Sequence, residues 1–522
     1  MPVTVAGHWT GCEAKLLRTA LRLSIRDFAA QLGVAARTVN TWEERLADIT
    51  PLPHMQEVLD TALSRASDEA KARFTAATCK AASEPETAPL SELPARGAML
   101  PVMVDGRLVL VPLDADTVAN SGISAILDER ATSGEQGDSA MAPASPDASD
   151  ESVDDAGCDP VFSAQWNHRV TVEASVALSS GSSGKRRRPA LLAGADLTVP
   201  AHQWLIRDLE PLASGLSGGR VSTALVDQLP PIITTLRTID DAAGGGTVLS
   251  LAQQAFGWVA GLLDQASYDE RIGRRLYIAL AELGQLTGWA AHDAGRPGLG
   301  QRYHVAALRA AHSADDRPLG AHILGCMADQ AARRCMPAEA VTLIETAELG
   351  IRGWETPRLL AELSIRKAYA LATLRDGSAC EAALAKARTQ IERFEPDSDP
   401  LWLYWVTPAE ITAGAGDCLL QLGRPGHATA LLGDGIAMFD ESFARDQQIY
   451  LTHLADALAR PGKQRDLDAA ADRGLAAVDL AATLTSARSV ACLRDLYMQM
   501  QQHASVPAVR DFLERAQAVL VA

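Results

Sequence analysis

One short motif recurs through the C-terminal half of this 522-residue chain and restricts its fold more than any other feature. Gly295-Arg-Pro-Gly298 returns as Gly423-Arg-Pro-Gly426, and Arg460-Pro-Gly462 is a partial third copy. Related turns occur at Arg334-Cys-Met-Pro337, followed by Ala338-Glu-Ala-Val, and at Arg375-Asp-Gly377, followed by Cys380-Glu-Ala-Ala. Each sits between an apolar stretch of helical spacing and an Ala-rich one. Turn positions 295, 335, 376, 423 and 462 are 40, 41, 47 and 39 residues apart. Repetition on this scale implies helical units that cannot bury their apolar faces alone and must stack. Residues 198–522 are therefore expected to form an α-solenoid. Small residues after each turn let paired helices approach closely.

The first unit carries the fullest pattern: Leu286-Thr-Gly-Trp289-Ala-Ala-His-Asp-Ala-Gly-Arg-Pro-Gly, then Gln301-Arg-Tyr303 and Ala306-Ala307-Leu308. It resembles a degenerate tetratricopeptide array, whose unit is about 34 residues, with somewhat lengthened loops. Trp258, Trp289, Trp354, Trp402 and Trp405 read as core or inter-repeat packing. Arg333, Arg334 and Arg352 read as solvated surface; the alternative is that they line a concave groove for an anionic group or a peptide terminus. His292, His304, His312 and His322 are too scattered in sequence for a metal site.

A second segment, Leu16 to Glu43, reads LLRTALRLSIRDFAAQLGVAARTVNTWE. Ser24 precedes an apolar-periodic run and has Asp27 three positions on, so it caps a helix from Ile25 to about Leu32. Phe28, Ala29 and Leu32 form its apolar stripe. Gly33 falls where the chain must turn sharply. The next helix, from about Ala36 to Glu43, turns Val39 and Trp42 inward and leaves Ala36, Arg37, Asn40 and Thr41 outward. Arg and Asn are the side chains best shaped for bidentate contacts to guanine and adenine edges. Arg18, Arg22, Arg26 and Arg45 lie nearby as phosphate contacts.

This segment, from about Cys12 to Ala66, resembles the helix-turn-helix of the Xre/Cro–repressor family, with Met55 to Leu63 as its closing helix. The resemblance implies base contacts by Ala36, Arg37, Asn40 and Thr41 in a major groove. It departs from the family pattern at Ala35, where a Ser or Thr cap often stands.

The net charge of −17 divides unevenly. Residues 12–46 carry six basic and four acidic side chains, whereas residues 80–160 carry four basic and sixteen acidic ones. So weakly charged a head should bind DNA in a strongly salt-dependent way, and pairing in a homodimer is the expected remedy. The stretch after Lys80 turns to Glu, Pro, Ser and Ala, and residues from about 132 to 160 are expected to be disordered. Within it, two β-rich runs flank Asp105-Gly106 and predict a two-residue hairpin over 100–113. Lys185-Arg-Arg-Arg188 reads as a solvated basic linker, or as an auxiliary phosphate-contacting patch.

The organisation expected is all-α. It comprises a helix-turn-helix bundle at 1–79, a largely disordered acidic linker with one hairpin at 80–197, and a helical repeat domain at 198–522. Eight scattered cysteines without metal-ligand spacing suggest reduced thiols. No signal peptide or membrane span is evident, so a cytoplasmic location is expected. No phosphate-binding loop, H-E-x-x-H or G-x-S-x-G motif supports an enzyme, cofactor or metal. Seven lysines among 48 basic residues fit a GC-rich genome. The whole resembles actinobacterial Xre-type regulators that join a helix-turn-helix to tetratricopeptide repeats. That implies a transcriptional regulator acting on double-stranded DNA, with a peptide, small molecule or protein in the repeat groove. The competing reading is a repeat scaffold whose helix-turn-helix no longer binds DNA.

Overall fold

The computed structural model describes residues 9–32, 34, 36–45, 53–64, 66–67, 71 and 74, and the backbone of 99–104 and 107–112. It further describes residues 160–162, 165–180, 189–208, 215–216, 219–394, 399–463 and 465–521. Helix dominates these residues, and the chain divides into two compact units, 1–94 and 95–522. The expected disordered stretch and the basic run 185–188 lie outside the described residues. Among the described residues, no helix is long and apolar enough to cross a membrane.

The first unit holds α1 (Gly11–Leu21), α2 (Ile25–Leu32), α3 (Ala36–Arg45) and α4 (Pro53–Ser64). Its core gathers Leu17, Phe28, Ala29, Leu32, Val39, Trp42, Leu59 and Leu63, with Trp9 stacked on Phe74 at 5.7 Å. Ser24 caps α2 as its position implies: its hydroxyl accepts from the Asp27 amide at 3.2 Å and donates to the Asp27 carboxylate at 2.6 Å. At the far end the Val34 amide donates to the Ala29 carbonyl at 2.9 Å, the six-to-one bond that closes a helix before a tight turn.

The second unit opens with β1 (Met99–Val104) and β2 (Arg107–Pro112), an antiparallel pair in which Val104 faces Arg107. The two-residue connection is the one that Asp105-Gly106 predicts. After these come α5 (His168–Ser179), α6 (Ala195–Ile206), α7 (Thr223–Val226), α8 (Leu229–Ala243) and α9 (Gly245–Gln265). The strand β1 lies against α9. The helical body begins earlier than position 198: Val161, Trp166, Val172 and Ala174 belong to the same core as the repeats. Residues 165–179 are too short a run to announce themselves, and only burial under α9 identifies them as part of this body.

The array itself comprises α10 (Glu270–Asp293), α11 (Pro297–Ser313), α12 (Arg317–Arg333), α13 (Pro337–Gly350), α14 (Pro357–Thr373) and α15 (Gly377–Ile391). It continues with α16 (Pro408–Gln421), α17 (Pro425–Met438), α18 (Ala444–Ala459), α19 (Leu467–Ala481), α20 (Ala487–Met500) and α21 (Pro507–Val521). Consecutive helices pack as hairpins, and the even-numbered members also pack on one another as an inner layer.

The sequence motif proves to be a helix-stop-helix signal. Gly295, Asp315, Cys335, Arg375 and Gly423 all take positive φ, between 55° and 76°. After each, the next amide reaches back to a carbonyl five residues earlier, as from Arg296 to Ala291 and from Asp316 to Ala311. In four of the five a proline one or two residues after that amide starts the following helix with its φ already set; after Arg375 the Asp376 side chain caps the helix instead. Glycine is free at such a position, whereas Asp315, Cys335 and Arg375 each bear a strain of about 1–2 kcal/mol. These connections are only three residues long. The extra length over a tetratricopeptide unit lies partly in the helices, of 17 residues in α11, α12 and α14, and partly in the connections between hairpins, as expected, the longest running from Ile391 to Pro408.

Close helix approach also depends on glycine. Trp204 of α6 is fully buried in a slot where a Cβ on Gly320 or Gly350 would fall 2.3 Å or 2.2 Å from its indole. Arg317 covers the ring at 5.3 Å.

Candidate functional site

Two places concentrate chemistry: the outer face of α2–α3 in the first unit, and the inner face of the repeat array in the second.

In the first unit the amphipathic split is as expected: Val39 and Trp42 are buried and Asn40 is exposed. The side chains of Ala36, Arg37, Thr41 and Arg45 lie outside the described residues, although their backbones are part of α3. Arg22 and Arg26 are exposed at the end of α1 and the start of α2. Arg18 is different and leaves the phosphate-contacting set. Its Nε and Nη2 donate to the two oxygens of Glu43, Nη2 at 2.9 Å, while Nη1 donates to the Leu23 carbonyl at 2.8 Å. A bidentate pair with both partners mostly buried clamps α1 to α3.

The array in the second unit closes on itself. The Thr485 amide donates to the Ala243 carbonyl and the Gly246 amide to the Thr485 carbonyl, both at 2.8 Å, so the turn before α20 pairs with the α8–α9 junction. Glycine is required there, because a Cβ on Gly246 would lie 2.5 Å from the Thr485 side chain. Asp293, fully buried at the end of α10, is the hub. One carboxylate oxygen accepts from Ser486 Oγ (2.9 Å) and Arg488 Nε (3.1 Å); the other accepts from the Gly245 amide (2.8 Å). Arg445 on α18 likewise reaches α8: its Nη1 donates to Asp240 at 2.6 Å, with Asp241 at 3.5 Å.

Charges therefore fill the inner face. Arg366 meets Asp329 at 2.8 Å, Arg333 meets the same carboxylate at 3.1 Å, and Arg237 meets Glu282 at 2.9 Å. Trp289 stands among three guanidinium groups, with Arg488, Arg366 and Arg445 at 4.9, 5.3 and 5.8 Å from its ring. An indole face toward each cation offsets their mutual repulsion. What remains empty is about 70 Å³, room for water and not for a peptide. Net stability is not what such a cluster supplies, since desolvating the ions cancels most of their attraction. It supplies a specified closure, because any misplacement strands a charge.

The electrostatics follow from that crowding. Burial, reinforced by Asp240, pushes Asp241 up to about 7 against the pull of Arg445. Burial, with Asp446 nearby, likewise pushes Glu410 up to about 7, while Tyr450 Oη donates to it at 2.8 Å. Burial opposes ionisation of Asp329 too, but Arg333, Arg366 and Arg488 hold it well below the usual carboxylate range.

His322, Cys326 and Glu362 bring three potential ligand atoms within 4.8 Å of one another. His322 Nδ1 lies 2.8 Å from Glu362, and its ring stacks on Trp402 at 4.6 Å. Burial disfavours the imidazolium, yet Glu362 and Cys326 lift it to about 10, so without a metal His322 is the cation of an ion pair with Glu362.

Beside the ionic core lies a cleft of about 450 Å³, walled by α10, α12, α14, α16 and α20. Arg333 and Arg334 both line it, as the groove reading has it, although Arg334 is also exposed, as the surface reading has it. Arg352 is exposed, as the surface reading has it. Trp289, Trp402 and Trp405 line the inner face, whereas Trp354 is 58% exposed and packs in no core. Sequence reasoning missed Asp240, Asp293, Asp329, Arg366, Arg445 and Arg488. One signal was available: Arg366 stands at helical spacing among Leu359, Leu363 and Ala370, a charge within a buried stripe. Against known proteins, no family model matches this chain and no curated protein matches it.

Proposed function

We propose that the protein is a sequence-specific DNA-binding regulator, with the first unit as its reading head and the closed repeat unit as its sensor. The observation that carries this reading is the α2–α3 pair. Its inner face is fully committed to the core through Phe28, Leu32, Val39 and Trp42, while α3 presents Asn40 outward. That division is what placing a helix in a major groove requires. In this reading Arg37, Asn40, Thr41 and Ala36 meet base edges, and Arg22, Arg26 and Arg45 meet phosphates. Arg18 keeps α1 and α3 in register. A homodimer supplies the affinity that one weakly charged head lacks. The repeat unit resembles tetratricopeptide repeats in its hairpin arrangement, although its units are longer.

The test is selection of bound sequences from random double-stranded DNA by mobility shift with the full chain. The expected result is enrichment of one motif, with Arg37→Ala costing about 1–3 kcal/mol and relaxing preference at a single base position. A second reading, a partner-docking head on a repeat scaffold, is favoured by the commitment of Arg18 to Glu43, which removes one cation from the surface. Absence of any enriched sequence at low salt would select it.

A further inference from the structure

The 450 Å³ cleft is of the size that small-molecule sites occupy. Three arginines line it against one carboxylate, Asp495. The carboxylates that hold these arginines lie at the ionic core. Arg333 is bonded to Asp329 through its Nε, and Arg488 to Asp293 through its Nε. Each is thereby fixed by one edge of its guanidinium. Arg488 Nη2 is buried, has no hydrogen-bond partner and lies 3.9 Å from Asp446, on the side of the ionic core. His292 also lines the cleft, only 6% exposed, and neither of its ring nitrogens has a hydrogen-bond partner. A buried polar group without a partner is costly, and the two ring nitrogens of His292 mark where a ligand's polar atoms belong. Arg334 is exposed, and Tyr369 also lines the cleft, with the Arg333 guanidinium 5.3 Å from its ring.

We propose that this cleft binds a small organic anion, its phosphate or carboxylate oxygens received by Arg488, Arg333 and Arg334, and its polar body set beside His292 and Tyr369. Burial and Arg488 push His292 down to about 3, so it meets the ligand as a neutral imidazole with one donor and one acceptor. Four walls of the cleft come from α10 to α16 and the fifth from α20, the helix that completes the ring. An anion bridging Arg334, just past the end of α12, and Arg488 on α20 therefore favours the closed ring over an opened one, by linkage. The occupancy stands on the cleft alone. Its effect on DNA rests on the regulator reading given above.

Calorimetric titration of the full chain tests it with inorganic phosphate, glucose 6-phosphate and citrate at constant ionic strength, and glucose as the uncharged control. Saturable binding of at least one anion with a Kd of about 1 mM or tighter is expected, with glucose silent. Glucose 6-phosphate over citrate assigns a phosphate ligand, and the reverse a carboxylate. Arg334→Gln, at an exposed position, should keep the unliganded melting temperature and weaken that binding at least about tenfold, the worth of a lost charge-assisted hydrogen bond. The anion that binds should also slow amide exchange across residues 483–487 in the wild type. No saturable heat from any of the three anions at 10-fold this concentration, or unaltered affinity in Arg334→Gln, overturns the site. Mobility shift then separates the two claims: binding without any change in DNA affinity keeps the site and removes its regulatory role.

Discussion

Replacing Asp293 by Ala should open the ring of the second unit, and the size of the effect follows from its contacts. Three hydrogen bonds disappear, from Ser486, Arg488 and the Gly245 amide. Two of the donors they leave behind are buried, and Arg488 retains only Asp446 at 3.9 Å. Breaking a buried pair by removing one partner costs about 3–5 kcal/mol, most of it the stranded charge. Asp293→Asn keeps an oxygen acceptor for one neighbour and loses the charge, so about 1.5–3 kcal/mol is expected. Native-state hydrogen exchange of the full chain is the suitable assay, because two units preclude a single global unfolding transition. The Gly246 and Thr485 amides, which close the ring, should lose between about a hundredfold and a few thousandfold of protection in Asp293→Ala. Adding Arg488→Met should return part of that loss, since no guanidinium is then left unpaired. Less than a fivefold change in Asp293→Ala, or no recovery in the double variant, would refute the assignment of Asp293 as the hub.

Three further outcomes are expected. Glu410 has its pKa raised from 4.5 to about 7, so the unfolded chain ionises it first and its contribution to stability declines as pH rises from about 4 to 7. Glu410→Gln should remove up to about 3 kcal/mol of that decline, seen as a flatter melting-temperature profile, while matching wild type below pH 4. In the first unit, Arg18→Ala should destabilise the bundle by about 1–3 kcal/mol without changing the salt slope of DNA binding. Arg26→Ala should instead lower that slope by about one and leave the melting temperature in place; the converse pattern would return Arg18 to the phosphate-contacting set. Gly320→Ala drives a methyl into the Trp204 indole and should cost about 1–3 kcal/mol, read as faster exchange of α6.

Much of the architecture was legible because local rules govern it. Ser24 before Asp27, the prolines opening α11, α13 and α17, and Asp105-Gly106 between two apolar runs each act within a few residues. Where they stand, the structure places the cap, the helix starts and the two-residue hairpin connection. The repeat was legible only by halves. Its stops recur at 295, 315 and 335, yet Ala314-Asp-Asp-Arg-Pro318 conceals the middle one, because Asp315 adopts by strain what Gly295 adopts freely. The site was less legible still. Arg333 was a surface arginine by local pattern, and Arg366, which shares its Asp329 carboxylate, comes from the next inner helix.

By itself, then, the sequence determined helix content, helix boundaries, stacking of neighbours and which face of α3 turns inward. Those depend on periodicity and capping, whose range is one helical turn. Only the tertiary structure decided that the array closes, bringing Asp240 to Arg445 and Asp293 to Arg488 across about 200 positions of chain. It alone also showed that the inner face is an ionic core with a cleft beside it, and that Arg18 serves the bundle. The physical reason is shared: a buried charge is tolerable only beside its partner, and no local pattern records a partner so distant in sequence.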